Sequence, residues 1–494
     1  MRPITIVASS ARIVALVKSL TSALAIGSGA VVGREGPIIQ IGAAMGSTLG
    51  QVISMTPGQR ITLVAAGAGA GIAATFNTPL GGVLFASELL LPEVSVTTFL
   101  PVAVATGTAT FIGRLYFGSE PAFSVPADLA PIASPATSLF TLGLYIVLGI
   151  LAGVAATIYI RGLHWTEDLF DLIKGRYLRH CLGMALVGCA IYAFSLTAGH
   201  YYVEGVGYST IQAVLHNQIT GVGLLLLLLV GKLFESCVSL GSGSSGGVFS
   251  PSLFMGATLG SGFAAAVHWI LPGFPISLPA FAMVGMGAMV GGSTGAVVTA
   301  VTMTFEMTRD YGIVFPMILA VAAAIAVRQR LLPESIYTMK LARRGHPLPK
   351  ALHTNMFLVK SARELIDDKV LVCDRAVTFA ELSAQTEAHD GFVQIVVTEA
   401  GRIFGTLRIN TSLRRAVGAN TAEVTLGSLA RRDFVVVEEG EPMLEIIPRM
   451  PHEGLGTAVV IRKPQGEGAP EVLGVIAREQ LARAVAESVR IYPR

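Results

Sequence analysis

One apolar segment, broken by glycines, is written twice in this chain. Residues 14–50 recur at 228–264 with a constant separation of 214 residues. LVKSLTSALAIGSGAVVGREGPIIQIGAAMG returns as LVGKLFESCVSLGSGSSGGVFSPSLFMGATLG. Lys18 pairs with Lys232, Ser22 with Ser236, Gly27 with Gly241, Gly29 with Gly243, Gly33 with Gly247, Pro37 with Pro251 and Gly42 with Gly256. At the centre Glu35 stands against Phe249. Matched, interrupted apolar segments in two halves of a chain point to a binding site in a membrane transporter.

The repeat continues. GAGAGIAATFNTPLGGVLFASE at 67–88 pairs with GMGAMVGGSTGAVVTAVTMTFE at 285–306, now 218 residues apart. Gly67 meets Gly285, Gly69 meets Gly287 and Glu88 meets Glu306. Two homologous halves follow, repeat 1 over about 1–115 and repeat 2 over about 138–340. The halves are unequal at their starts. The apolar stretch 120–228 precedes Lys232, whereas 17 residues precede Lys18. The expectation is that the first half lacks several N-terminal helices because the start is truncated or misplaced.

Only 14% of the residues are charged and 52% are hydrophobic, against about 25% charged in a soluble domain. Apolar runs close to the ~20-residue spanning length stand at 138–160, 181–199, 221–240 and 313–327. The fold class is therefore an α-helical, polytopic membrane protein, in the plasma or inner membrane. Arg328, Arg330, Lys340, Arg343, Arg344 and Lys350 follow the last apolar run. Positive segments stay in the cytoplasm, so the rest of the chain is expected there. No cleavable signal peptide is read after Met1. A net charge of +3 gives no reason to invoke nucleic acid. Four scattered cysteines and nine scattered histidines have neither metal-ligand spacing nor a disulfide framework.

Composition changes near residue 345. HPLPK marks a linker over 346–351, and a soluble α/β unit is expected over 352–494. Short β-branched runs at 392–398, 434–437 and 457–461 alternate with helical patterns such as 477–490. GTLRINTSLRRAV at 405–417 and GVIAREQLARAV at 474–485 read as one unit repeated. The tail then holds two copies of a small module, about 352–420 and 421–494.

Gly33–Pro37 and Gly247–Pro251 each join a glycine-rich break to a new apolar run. Proline is favoured at a helix start, so each copy is expected to begin a helix inside the membrane. Free N–H groups and positive dipole ends would then meet at a two-fold axis and hold an anion without a formal positive charge. The plainer reading of such glycines is close helix packing. Glu35 sharpens the functional reading. A carboxylate within a membrane is costly and functional by default. At a helix N-terminus it is a tethered anion, and its protonation would free the site. A permanent pair with Arg34 is the alternative, although neighbours in a helix do not face each other. Glu88 and Glu306, matched across the repeats, are expected to brace backbone groups. Tyr337 could donate to an anion; as a lone residue it reads as an interfacial aromatic.

GREGP at 33–37, GSGSSGGVFSP at 241–251, FEMT at 305–308 and Tyr337 together resemble the CLC family of chloride channels and proton-coupled chloride antiporters. The resemblance implies two inverted-topology repeats, a pore in each protomer and a homodimer. It implies Glu35 as the gate. It implies an anion site drawn from Gly33, Arg34, Gly36, Gly247, the amides of Val248 and Phe249, and the Tyr337 hydroxyl. Small anions, chiefly chloride, are the implied ligand, protons act at the gate, and the bilayer is the setting.

Two departures bear on mechanism. The family's Gly-Ser-Gly-Ile-Pro segment, which supplies a serine ligand, is not found before Lys18; GVGYSTI at 205–211 is its partial counterpart in the second half. The second glutamate that antiporters carry directly after the position of Glu88 is Leu89 here, and leucine relays no proton. Glu88 and Glu93 lie nearby without matching that position. The expectation is a chloride channel of the voltage-gated type with a pH-sensitive gate. The alternatives are an antiporter with another proton path, or a non-conducting scaffold if the start is genuine.

The tail resembles a tandem CBS pair, a cytoplasmic module that often senses adenine nucleotides. Arg408 and Ala477 stand where nucleotide sites favour Thr or Ser, and Thr411 or Ser412 and Gln480 stand where they favour a ribose-binding Asp. A structural role without bound nucleotide is expected, and no other cofactor or metal. An intramembrane serine protease built on Ser244 or Ser245 needs a positioned base, with His216 and His268 as the candidates. A phosphate-binding loop fails because GSGSSGG lacks the Lys-Ser/Thr that should follow it. An enzyme is therefore not expected.

Overall fold

A computed structural model describes residues 13–53, 55–91, 94–125, 135–343, 360–382, 394–408, 423–450, 456–462 and 470–489. The 346–351 linker, Glu93, Thr411 and Ser412 lie outside the described residues. The chain divides into two compact units, 1–349 and 350–494.

The first unit is helical. Its elements are α1 (Val14–Gly27), α2 (Glu35–Val52), α3 (Pro57–Phe76), α4 (Pro79–Leu89), α5 (Val96–Phe117), α6 (Pro135–Asp171) and α7 (Arg176–Ala198). There follow α8 (Tyr208–Leu215), α9 (Val222–Gly241), α10 (Phe249–Ile270), α11 (Leu278–Thr294), α12 (Val297–Thr308), α13 (Val314–Leu331) and α14 (Ile336–Arg343). Among the described residues six helices are long and apolar enough to cross a membrane.

The sequence repeat is a repeat of elements. α1–α5 correspond to α9–α13, and the contacts match: α2 packs on α3 and α3 on α4 and α5, as α10 packs on α11 and α11 on α12 and α13. Local chemistry sets the ends at matching places. α3 starts at a capping box, in which Gln59 N donates to Thr56 Oγ1 and Thr56 N to Gln59 Oε1. It stops at Asn77, with φ of 59°. α11 starts at Ser277, whose hydroxyl accepts from Ala280 N, and stops at Gly295, with φ of 80°. Asn77 and Gly295 are equivalent positions. The interior joins both halves in one cluster that includes Phe76, Phe123, Phe249 and Phe281.

The second unit holds two three-stranded sheets: β1 (Val370–Asp374), β2 (Gln394–Glu399) and β3 (Arg402–Arg408), then β4 (Phe434–Glu438), β5 (Thr457–Arg462) and β6 (Glu471–Ile476). In each, the first pair is parallel and the second is an antiparallel hairpin. Each also has a register shift at the same place, between Val397 and Thr398 and between Val460 and Ile461. Two copies of one module is thus the observed topology. Val396, Val459, Ile461 and Val475 pack together across the two sheets.

Candidate functional site

Gly33 and Gly247, equivalent residues of the two copies, bind each other. Gly33 N donates to Gly247 O at 2.8 Å, and Gly247 N donates to Gly33 O at 2.7 Å. An antiparallel pair between equivalent residues is the signature of a local two-fold axis passing between them. α2 and α10 begin two residues further on in each copy, at Glu35 and Phe249. Neither helix start has a side-chain cap from its own N-cap residue. Two sets of first-turn N–H groups are therefore free to serve something else.

The approach is closer than side chains permit. A Cβ on Gly247 would lie 2.6 Å from the Gly36 nitrogen, and a Cβ on Gly36 would lie 2.8 Å from Gly247 Cα. Glycine is needed here for contact of backbone on backbone, not for an unusual φ.

The Glu35 side chain crosses this junction and is 2% exposed. Its Oε1 accepts from the Tyr208 hydroxyl at 2.7 Å and from Ser250 Oγ. Its Oε2 accepts from Ser250 N at 3.3 Å. Ser250 is the second residue of α10, so the first copy's carboxylate caps the second copy's helix. Tyr208 opens α8 behind Gly207, which has φ of 83°. Its ring meets the edge of Phe123 at 5.4 Å. Its hydroxyl is 2.9 Å from Ser250 Oγ.

Arg34 turns away from Glu35. Its guanidinium lies 5.2 Å from the Tyr208 ring centroid and 5.7 Å from that of Phe76, with Nη2 donating to Thr75 O at 3.4 Å. Arg34 thus stacks on the ring whose hydroxyl holds the carboxylate.

The amide that meets the tethered carboxylate belongs to Ser250, one residue beyond Val248 and Phe249. Phe249 is buried, with its ring 5.8 Å from that of Phe76. Tyr337, in the first turn of α14, is 36% exposed and lies within electrostatic reach of Glu35. Sequence reasoning passed over Tyr208 and Ser250. Both stand inside motifs it had singled out, GVGYSTI and GGVFSP, but neither shows its direction until α8 and α10 are folded together.

Glu88 and Glu306 make a reciprocal pair of caps. Glu88 accepts from Val297 N at 2.7 Å, Thr299 N at 2.9 Å and Thr299 Oγ1 at 2.7 Å, at the start of α12. Glu306 accepts from Leu80 N at 3.1 Å and Gly81 N at 2.6 Å, at the start of α4. Each half braces the other's helix end. Leu89 packs against the main apolar cluster. The serines proposed for proteolysis have other partners. Ser244 Oγ donates to Met184 Sδ, Ser245 Oγ receives Lys18 Nζ at 3.3 Å, and His216 is 3.0 Å from Ser124 Oγ.

Residues 8–329, well over half of the chain, match the family profile described as Voltage gated chloride channel. The chain belongs to the voltage-gated chloride channel (CLC) family. It is 34% identical over 337 residues to a putative chloride channel protein ClcB-like of Ralstonia nicotianae, covering 66% of this chain and 75% of that protein. It is 32% identical over 332 residues to the H(+)/Cl(-) exchange transporter ClcA of Vibrio cholerae, covering 65% and 67%. Among solved structures, a slow cyanobacterial Cl-/H+ antiporter superposes with a TM-score of 0.59 at 29% identity, covering 67% of this chain and 76% of that one. A eukaryotic CLC transporter superposes with a TM-score of 0.57 at 19% identity, covering 94% and 80%. This last likeness is one of fold, and it extends into the C-terminal unit. The membrane unit therefore has the CLC fold.

Proposed function

We propose that this CLC protein passes chloride and other small anions through the junction of α2 and α10, as a passive pathway gated by Glu35. One observation carries the reading: the Glu35 carboxylate lies at the N-terminus of α10, where it accepts Ser250 N, Ser250 Oγ and the Tyr208 hydroxyl. Donors that hold one anion serve another. A proton on Glu35 removes the charge for which they compete. Acid therefore opens the pathway, and the gate closes as the carboxylate recovers its charge. Leu89 supports passive conduction, since an alkyl chain stands where a second carboxyl would carry protons onward.

Exchange of chloride for protons is the second reading, and it is favoured by the exchange activity in the relatives' names. Paired flux separates the two. Vesicles holding the protein are expected to release chloride down its gradient without driving protons uphill. Stoichiometric proton movement against a gradient would assign the protein to the exchangers.

The protein is read as a multi-pass homodimer with its tail in the cytoplasm, the basic run after α13 supporting that orientation. The tail serves as a structural CBS-like pair. Arg408 forms an ion pair with Glu479 at 2.5 Å, which holds that carboxyl below the usual range. Ala477 is buried, and Gln480 is bound to Asp367 at 2.9 Å. Arg408 and Gln480, two of the positions at which nucleotide sites favour other residues, are thus engaged within the protein. Calorimetric titration of the whole protein with ATP, ADP and AMP is expected to give no binding heat. Saturable micromolar binding would restore the sensor role.

A further inference from the structure

Glu235 is fully buried in α9, and neither carboxyl oxygen has a hydrogen-bond partner among the described residues. An ionised carboxylate sealed in this way is unfavourable by several kcal/mol. The neutral acid is the form that fits the geometry. Its equivalent in the first copy is Thr21, so the carboxyl belongs to the second copy alone.

One turn earlier stands Lys232, also fully buried. Its ammonium donates to Val203 O at 2.9 Å and to Gly205 O at 2.7 Å, and lies 4.8 Å from the Phe254 ring centroid. Those carbonyls belong to the loop that ends at Gly207 and delivers Tyr208 to Glu35. Residues three apart on a helix are surface neighbours, so Lys232 has two claimants: the loop carbonyls and Glu235. The other charges Lys232 feels are Glu204 in that loop and Glu35 itself. The one titratable side chain of α10 is His268, in its last turn. α6 presents Tyr159, bound to Ser236, and His164, bound to Ile160 O. α7 packs on α9 with apolar Met184, Val187 and Ile191 about Val238, while its Cys189 and Tyr192 are exposed.

We propose that Glu235 is a second proton-binding group of the transport cycle, acting on the gate through Lys232. The proposal rests on the reading of Glu35 as the gate. Neutral Glu235 leaves Lys232 on the loop carbonyls, the arrangement observed, and Tyr208 stays on Glu35. When Glu235 gives its proton to water, the new carboxylate draws the Lys232 ammonium away from Val203 and Gly205. The loop then loosens and Tyr208 releases the gate. Only an O–H bond on Glu235 breaks, and water takes the proton. The two carboxyls thus respond in opposite directions: acid frees Glu35 by protonating it, and alkali loosens its latch by deprotonating Glu235.

Chloride flux from vesicles, measured across pH, tests this. The wild type is expected to show an acid limb and an alkaline limb. Glu235→Gln keeps the acid limb and loses the alkaline one, a change on the order of fivefold to tenfold at the alkaline end for one weakened hydrogen bond. Tyr208→Phe removes the far end of the linkage and is expected to abolish the alkaline limb as well. A Glu235→Gln profile that superimposes on the wild type would overturn the proposal, as would an alkaline limb that survives in Tyr208→Phe. An infrared pH titration of the detergent-solubilised protein gives a readout independent of transport. The carboxylic C=O band that disappears with alkali in the wild type is expected to be missing from Glu235→Gln, and an unchanged band would again overturn the proposal. Wild-type vesicles without chloride flux at any pH would sink the gate reading instead, and the infrared titration would still decide whether Glu235 binds a proton.

Discussion

Replacing Glu35 with glutamine is expected to remove the acid stimulation of chloride flux and to raise flux at neutral pH by ten- to a hundredfold. The reasoning starts from the donors. Ser250 N, Ser250 Oγ and the Tyr208 hydroxyl all converge on this one carboxylate. Hydrogen bonds to a charged group contribute about 1.5–3 kcal/mol each, and 1.4 kcal/mol is a factor of ten. Losing the charged share of one or two of these bonds accounts for the stated range. Glutamine keeps the size and one acceptor oxygen of glutamate but has no charge to hold the N-terminus of α10, and no proton to gain. The measurement is chloride efflux from vesicles at acid and neutral pH, for wild type and variant together. A variant that stays as shut as the wild type at neutral pH, and still opens with acid, would move the gate to another residue. Glu235→Gln, on the other side of Lys232, is expected to leave the acid limb intact, so the two carboxyls are separable in one set of profiles.

The pairing of Gly33 with Gly247 was legible because duplication leaves equivalent residues at a constant spacing, and a two-fold axis brings such residues together. Both helix starts were legible from the proline two residues beyond Glu35 and from its counterpart, Pro251. The tail's duplicated module showed for the same reason. Direction was not legible. Nothing in GREGP says that Arg34 turns to the Tyr208 and Phe76 rings while Glu35 turns to Ser250; that depends on α8 arriving from a segment 173 residues away. That the amide meeting the carboxylate is Ser250's likewise shows only once α10 is folded against α2. Lys232 was read as a marker of the repeat. Its work in holding the 203–207 loop requires the fold, because backbone carbonyls leave no trace in sequence. Glu88 and Glu306 lie between these cases. Their equivalence could be read from the repeat, but each cap lies in the opposite half, at the start of α12 or α4.

Gly247→Ala is expected to destabilise the membrane unit by about 3 kcal/mol or more, while Gly27→Ala is expected to change little. The Cβ added at Gly247 would sit 2.6 Å from the Gly36 nitrogen and 3.1 Å from its Cα. Both are backbone atoms at the first turn of α2, and backbone has no rotamer by which to yield. Relief requires the two strands to separate, which breaks the Gly33–Gly247 pair at 2.8 and 2.7 Å. Overpacking contributes about 1–3 kcal/mol, and each buried backbone group left unpaired adds about 1–3 kcal/mol. Gly27 is the comparison because a Cβ there meets nothing within 4 Å, whereas a Cβ on its counterpart Gly241 would lie 2.6 Å from Thr166 Oγ1. Retention of glycine in both copies is therefore not by itself a sign of close approach. Thermal unfolding of both variants in detergent decides the matter. If Gly247→Ala melted with the wild type, the two helix ends would not meet as tightly as the bridge requires, and a carboxylate from one copy could not cap the helix of the other.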